Sequence, residues 1–206
     1  PKKPFSIALA LSDKIDTLVG FFGINQKPTS SKDPFALRRL TLGVIRTIVE
    51  NKNHIKIRDL INYSASLYMD QGFKFENKFV QKELSEFIMD RLKFYMREEN
   101  IRTDIIQASI NSHNLDQLVI IFEKAKYLDK IISKSNGHEI ISSYKRASNI
   151  LESELKGQNF DISNTTDTSI FNTYFEKNFF KKLNDLRKYF SSINEDEVYS
   201  ESLDNL

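Results

Sequence analysis

Apolar residues recur at every third or fourth position along most of the chain, and this helical period constrains the fold more than any other feature. The clearest signal for the start of a helix is Asp33-Pro34, because Asp accepts backbone N–H groups as an N-cap and Pro suits the first helical position. Leu37, Val44 and Ile48 then fall near one face. No strand pattern of any length is present, so the sequence predicts an all-α helical bundle of about seven helices in two packed groups.

The same period predicts the remaining helices, which Gly residues or an Asn-Gly pair would end. Asn136-Gly137 would separate two of them, and the polar tail Ser191–Leu206 would be frayed. The predicted ranges are 5–22, 57–68, 78–98, 103–111, 115–134, 140–151 and 170–190. The residues predicted to point inward on the last helix are Ile170, Phe171, Tyr174, Phe175, Phe179, Leu183, Leu186 and Phe190.

Composition bounds the class of protein. The chain has 206 residues, of which 40% are hydrophobic, and this is ample for a core. Its formal net charge is only +2, so any contact with nucleic acid must come from clustered basic residues. Because Cys is absent, disulfides, thiolate catalysis and Cys-ligated zinc are excluded. No apolar run reaches about 18 residues, so we expect a cytoplasmic protein without a membrane partner.

The best candidates for RNA contact are Lys145, Arg146 and Asn149, which lie one helical turn apart. A phosphate-binding cation and an amide that can position a base would then share one ridge. Tyr144 and Tyr95 could stack on bases, but both fall on apolar stripes, and we expect both to be buried.

Two further groups of basic residues are candidates for contact with RNA, although the periodicity alone also allows them to be solvated or paired with carboxylates. We expect the second group to hold domains together or to touch the body of the RNA. The groups are Arg91, Lys93 and Arg97, and Arg38, Arg39 and Arg46.

Catalytic chemistry is not evident in the sequence, and no catalytic, metal-binding or cofactor-binding residue is predicted. Asp13 and Asp16 lie three residues apart, as in the last helix of HD-type phosphohydrolase domains, but the upstream His-Asp pair is missing. A hydrolase remnant that binds metal through these two residues is one alternative. A helical scaffold, with incidental basic faces, is another.

Four blocks of residues, in order, carry a specific resemblance that spans roughly positions 5–151. They are Ala8–Phe22, Pro28–Arg39, Phe87–Leu92 with Tyr95 and Thr103-Asp104, and Lys145–Leu151. Together they resemble the beta subunit of bacterial heterotetrameric glycyl-tRNA synthetase. The chain departs from that family near its end, where Ser202-Leu203-Asp204 replaces the usual Asn-Arg-Leu element, so no functional residue is carried onto the tail.

The resemblance implies a fragment of a longer ligase subunit, in keeping with a start at Pro1 without Met. Residues 1–75 would be the C-terminal part of an HD-like helical body, and residues 76–206 a DALR-type anticodon-binding domain. The implied partners are tRNA(Gly) and the alpha subunit of an alpha2beta2 assembly. Glycine activation with ATP and Mg would belong to the alpha subunit, which agrees with the absence of a catalytic motif here.

Overall fold

The computed structural model describes residues 1–74, 76–110, 116–154, 166 and 168–192. These residues form eight α-helices and a short 3₁₀ turn at Thr168–Ile170, without a strand, which confirms the predicted all-α class. The helices are α1 (Pro4–Gly23), α2 (Leu37–Glu50), α3 (Ile57–Asp70), α4 (Asn77–Glu98), α5 (Thr103–Ile110), α6 (Leu118–Ile132), α7 (Ser135–Glu154) and α8 (Tyr174–Ser192).

The chain divides into two compact units, Pro1–Lys130 and Ile131–Leu206, with the boundary in the last turn of α6. In the first unit, α1 packs on α2, α3 and α4, while α4 also packs on α2, α3 and α5. The division predicted after residue 75 stays a prediction, and α4 contacts helices on both sides of that position.

The core of the first unit follows the helical period of the sequence. On α4, Leu84, Ile88, Leu92, Tyr95 and Met96 are buried, as their spacing predicts. Equivalent stripes on the other helices of this unit are buried as well, since each of these helices has one apolar side and one polar side. Side chains with almost no exposed surface include Leu18, Leu37, Ile45, Ile48, Ile61, Ile106, Leu118 and Ile121.

The start of α2 differs from the prediction. Asp33 does accept backbone N–H groups, but they belong to Leu37 and Arg38, and the helix begins at Leu37 instead of Pro34. Ala36 lies between them with a φ of 54°, in the left-handed region. Pro34 and Phe35 therefore form a turn before the helix, and the left-handed Ala36 connects this turn to α2.

The start of α7 also differs, because Asn136-Gly137 lies inside its first turn and does not break the chain. A Cβ at Gly137 would lie 2.5 Å from the carbonyl oxygen of Ile131 and 2.6 Å from the Cα of Ile132. Only Gly allows the backbone of this turn to approach the end of α6 so closely. Gly137 therefore allows the start of α7 to pack closely against the end of α6.

The apolar face of α8 is exposed, contrary to prediction. Tyr174, Phe175 and Phe179 are 76%, 81% and 66% exposed, and Ile170 and Leu183 are exposed too. Phe171 and Leu186 are half-buried. The helical period identifies an apolar face, but nothing within the described part of the chain covers this one. The predicted loop Gly157–Thr166, apart from Thr166, the side chain of Phe190 and the tail after residue 192 lie outside the described residues.

The N-terminus of α8 is closed by a capping box. The hydroxyl of Thr173 accepts the backbone N–H of Glu176, and the Glu176 carboxylate accepts the N–H groups of Thr173 and Asn172 at 2.8 and 2.9 Å. These bonds fix where α8 begins. Among the described helices, α8 included, none combines the length and apolar character that a membrane crossing requires.

Candidate nucleic-acid interface

The ridge formed by Lys145, Arg146 and Asn149 lies on α7 and is exposed to solvent. The side chains project from consecutive turns of one helix, at the spacing that makes helical residues neighbours. Neither cation forms an ion pair with another of the described residues. Two positive charges and one amide are therefore available to a ligand.

An aromatic residue joins this ridge, contrary to the expectation from its spacing. Tyr144 directly precedes Lys145 and is 74% exposed, so the prediction that it would be buried is wrong. It falls beside the partly buried Ile141 and Ser148, and thus at the edge of the packed side of α7. Its exposed ring could stack on an unpaired base.

Tyr95 is buried as predicted, with 5% of its surface exposed. Its ring packs on Phe122 with centroids 5.4 Å apart. Burial raises the pKa of the Tyr95 hydroxyl, and the carboxylates of Glu99 and Glu50 add to the increase while Arg46 opposes it. Tyr95 is therefore part of the core and is not available for stacking.

The basic residues of α4 are only partly free. Arg91 lies with its guanidinium carbon 5.9 Å from the ring centroids of both Phe87 and Phe94, and its buried Nε has no hydrogen-bond partner among the described residues. Lys93 forms an ion pair of 3.0 Å with Asp90. Arg97 is the exposed cation of this group, and it lies in the last turn, where positive charge stabilises the helix dipole.

The arginines of α2 divide in the same way. The guanidinium of Arg38 donates to the backbone carbonyl of Thr29 and so fastens the preceding loop. Arg39 is exposed and forms no ion pair with a described residue. Arg46 forms an ion pair of 3.5 Å with Glu98, at the end of α4.

The structure thus brings some predicted residues together and leaves others apart. Arg46 also lies 6.0 Å from the ring of Tyr95, so it connects α2 to α4 within the first unit. The ridge on α7 belongs to the second unit. Of the predicted cations, only Lys93 and Arg46 have an acidic partner in the described part of the chain. Arg38 and Arg91 are held by a backbone carbonyl and by aromatic rings. The remaining cations, which are exposed and form no ion pair with a described residue, are Arg39, Arg97, Lys145 and Arg146.

Asp13 and Asp16 are exposed on α1 and have local partners. Asp13 lies 3.9 Å from the ammonium group of Lys14, and Asp16 accepts the hydroxyl of Tyr68 at 3.2 Å. Burial raises the pKa of the Tyr68 hydroxyl, and the charge of Asp16 adds to this effect. Across the described residues, no three His, Asp or Glu side chains gather in a group that could hold a metal ion.

The fold and these surfaces define an all-α protein with exposed basic ridges on its helices. The family model described as glycyl-tRNA synthetase beta subunit matches residues 1–111. Glycine–tRNA ligase beta subunits are similar over more of the chain. The one from Cereibacter sphaeroides is 35% identical over 89% of this chain, that from Rickettsia canadensis 37% over 84%, and that from Rhodospirillum centenum 40% over 76%.

The chain therefore belongs to the glycyl-tRNA synthetase beta subunit family, as its four sequence blocks indicated. It spans only 26%, 24% and 21% of the length of these three relatives.

Proposed function

We propose that this chain is the tRNA-binding region of a glycine–tRNA ligase beta subunit, an aminoacyl-tRNA synthetase component, and that it contacts the anticodon of tRNA(Gly). The observation that supports this function is the free ridge of Lys145, Arg146 and Asn149 beside the exposed ring of Tyr144. Family membership supports tRNA as the ligand, and the ridge would supply the chemistry that unpaired RNA bases require.

In this proposal each side chain has a distinct task. Lys145 and Arg146 neutralise phosphates, which gives affinity without sequence preference. Asn149 can donate to and accept from a base edge, so it contributes to discrimination between anticodons. Tyr144 offers a stacking surface that any base can use. Arg97 and Arg39 are further cations for the RNA backbone, whereas Arg38, Arg46, Arg91 and Lys93 chiefly stabilise the helices that carry them.

The chain would not itself perform the ligase reaction. Activation of glycine with ATP and Mg would belong to the alpha subunit of an alpha2beta2 enzyme in the cytoplasm, and this region would need no cofactor of its own. Its contribution would be to hold the tRNA so that the acceptor end reaches the alpha subunit.

Binding of the 206-residue chain to tRNA(Gly) and to an anticodon-substituted tRNA, over a range of salt concentrations, tests the proposal. The correct anticodon should bind more tightly. Replacing both Lys145 and Arg146 by Ala should weaken the binding of both RNAs and lower the salt slope by about one for each phosphate that is no longer neutralised. Asn149→Ala should instead reduce the difference between the two RNAs.

A matched control removes the same charge elsewhere. Lys52 and Lys126 pair with Glu123 and Glu99 at 3.4 and 4.0 Å, so their joint replacement by Ala should leave the salt slope nearly unchanged. Equal reductions in affinity for the two double variants would mean that binding depends on net charge and not on the ridge, and would count against the proposal.

A second candidate function is a helical scaffold that joins the beta subunit to the alpha subunit or to another beta subunit. It is favoured by α8, where the exposed Phe175, Phe179 and Leu183 form an apolar stripe with Lys182 and Arg187 beside it. Replacing Phe175 and Phe179 by Ser should abolish a complex with the alpha subunit, measured by light scattering, and leave RNA affinity intact. An unchanged complex would exclude this role for α8.

A further inference from the structure

An open groove of about 520 Å³ lies between α1 and α3, in the first compact unit and apart from the ridge on α7. Its apolar lining comes from both helices. The main contributors are Ala8, Leu11, Ile15, Leu60, Tyr63 and Leu67. A second, separate hollow of about 330 Å³ lies nearer Ile24, and Asp16 lines both.

Large apolar side chains at and beside this groove are exposed to solvent. Tyr63 and Leu67, one turn apart on α3, are 68% and 41% exposed. Phe5 and Leu9 on α1 are 80% and 62% exposed, at a spacing that places them along the same edge as Asp16. Exposed apolar side chains beside a groove are typical of a site for another protein segment.

The lining also contains an unpaired hydroxyl. Ser64 is only 7% exposed, and its Oγ has no hydrogen-bond partner among the described residues. By contrast, the buried hydroxyls of Thr41, Thr47 and Ser109 each donate to the carbonyl four residues earlier, at 2.7 to 2.8 Å. Ser64 therefore keeps a spare donor and acceptor at the groove, which a ligand could satisfy.

The edge of the groove is negatively charged, although the chain as a whole carries a formal charge of +2. Asp13 and Asp16 both line it. Asp13 pairs loosely with Lys14 at 3.9 Å, and the Lys14 ammonium group also donates to the carbonyl of Ala10, while its stem lies beside Gly43 on α2. Asp16 accepts the neutral hydroxyl of Tyr68, and no Lys or Arg of the described residues forms an ion pair with it.

We propose that this groove binds a basic amphipathic helix of a partner protein, with its apolar side chains on the floor and its Lys or Arg side chains against Asp13 and Asp16. The groove follows α1 from Ala8 to Asp16, about 12 Å, which matches two turns of a bound helix. A helix laid in a groove between two helices is a common mode of peptide recognition. A polar group on the bound face would pair with Ser64.

The test uses fluorescein-labelled synthetic helices and the whole 206-residue chain. One peptide carries Leu at helical spacing with Lys on the flanks, and a matched peptide carries Glu in place of Lys. Fluorescence anisotropy should show binding of the Lys peptide and at least about tenfold weaker binding of the Glu peptide. Equal affinity for the two peptides would overturn the proposal.

Variants of the chain locate the site. Replacing both Asp13 and Asp16 by Asn should weaken binding of the Lys peptide by about tenfold, because two ion pairs can no longer form. A control with Glu86→Gln and Asp90→Asn removes two exposed carboxylates from α4 and should leave affinity unchanged. Equal effects of the two double variants would overturn the proposal, as would methyl NMR shifts on peptide binding that avoid Leu11, Leu60 and Leu67.

Two further measurements test whether the Ser64 hydroxyl pairs with the bound peptide and whether a second copy of the chain fills the groove instead. A Leu→Ser change at the centre of the peptide should cost less affinity with the natural chain than with Ser64→Ala, as a double-mutant cycle would detect. If instead the chain dimerises in sedimentation experiments and Tyr63→Ala with Leu67→Ala makes it monomeric, a second copy occupies the groove and the proposal is wrong.

Discussion

The carboxylate of Asp33 accepts the backbone N–H of Leu37, the first residue of α2, at 2.8 Å. Its second oxygen accepts the N–H of Arg38 at 3.0 Å, so one side chain satisfies two groups that the first turn leaves unpaired. Ala36, in the left-handed region, occupies the N-cap position. Asp33 therefore reaches the helix across a turn and is not itself the N-cap residue.

Asp33→Ala should therefore lower the free energy of unfolding by about 1 kcal/mol, and Asp33→Asn by less, since Asn keeps one acceptor oxygen. Urea unfolding followed by circular dichroism measures both. Asp13→Ala is the control, because Asp13 is exposed and its carboxylate pairs only weakly with the neighbouring Lys14. An equal decrease for Asp13 and Asp33 would contradict the capping role.

The ion pair between Arg46 and Glu98 couples α2 to α4. The side chains are 53% and 47% exposed, so solvent screens the attraction, and a double-mutant cycle with Ala should give a coupling of about 0.2–1 kcal/mol. The coupling should fall as salt is added. A cycle between Arg39 and Glu98, which do not pair with each other, should give no coupling. A larger value for Arg39 would contradict the structure.

Two helical glycines offer a matched pair of substitutions. Gly137→Ala would place a Cβ 2.5 Å from the backbone oxygen of Ile131, so it should destabilise the start of α7 by about 2 kcal/mol. Gly43→Ala would meet only the flexible stem of Lys14, at 3.1 Å, and its gain in helix propensity should make it neutral or slightly stabilising. Amide hydrogen exchange in α7 and α2 reports each effect separately. Unchanged protection of α7 after Gly137→Ala would contradict the close approach.

The capping box of α8 should depend on pH. Hydrogen bonds with Thr173, and then the N–H of Asn172, lower the pKa of the Glu176 carboxyl. The stabilisation from the ionised carboxyl is then complete above the ordinary pKa near 4.5, and it is lost as the pH falls through the lowered value of the folded state. The protection factors of the amides in the first turn of α8, which correct for the slower intrinsic exchange in acid, should fall as the pH falls through the lowered pKa. Glu176→Gln cannot titrate, and it should remove this pH dependence.

The candidate site could be predicted only in part. Lys145, Arg146 and Asn149 share an exposed ridge because their spacing on one helix is a local property. Whether each remaining cation forms an ion pair could not be predicted from its neighbours in the sequence. Arg46 is paired through Glu98, which is distant in sequence, so composition and period gave no indication of that pairing.

The burial of the aromatic residues could also not be predicted from their spacing alone. Tyr95 and Tyr144 both lie on apolar stripes, yet the first is buried on Phe122 and the second is 74% exposed. An apolar stripe predicts that a face can be buried, but burial also needs a second element to cover it. The groove between α1 and α3, with its unpaired Ser64, was likewise invisible in either helix alone.

The sequence by itself determined the helical class, most helix positions and the family, because helical period and local residue order act over a few neighbouring residues. Tertiary structure alone decided where α2 begins, why Gly137 is needed, which cations are free and which apolar faces stay open. The pairing of cations and the covering of apolar faces depend on contacts between residues far apart in the chain, and a periodic pattern contains no information about its partner. The start of α2 and the need for Gly137 depend on a left-handed residue and on a close backbone approach, neither of which the helical period encodes.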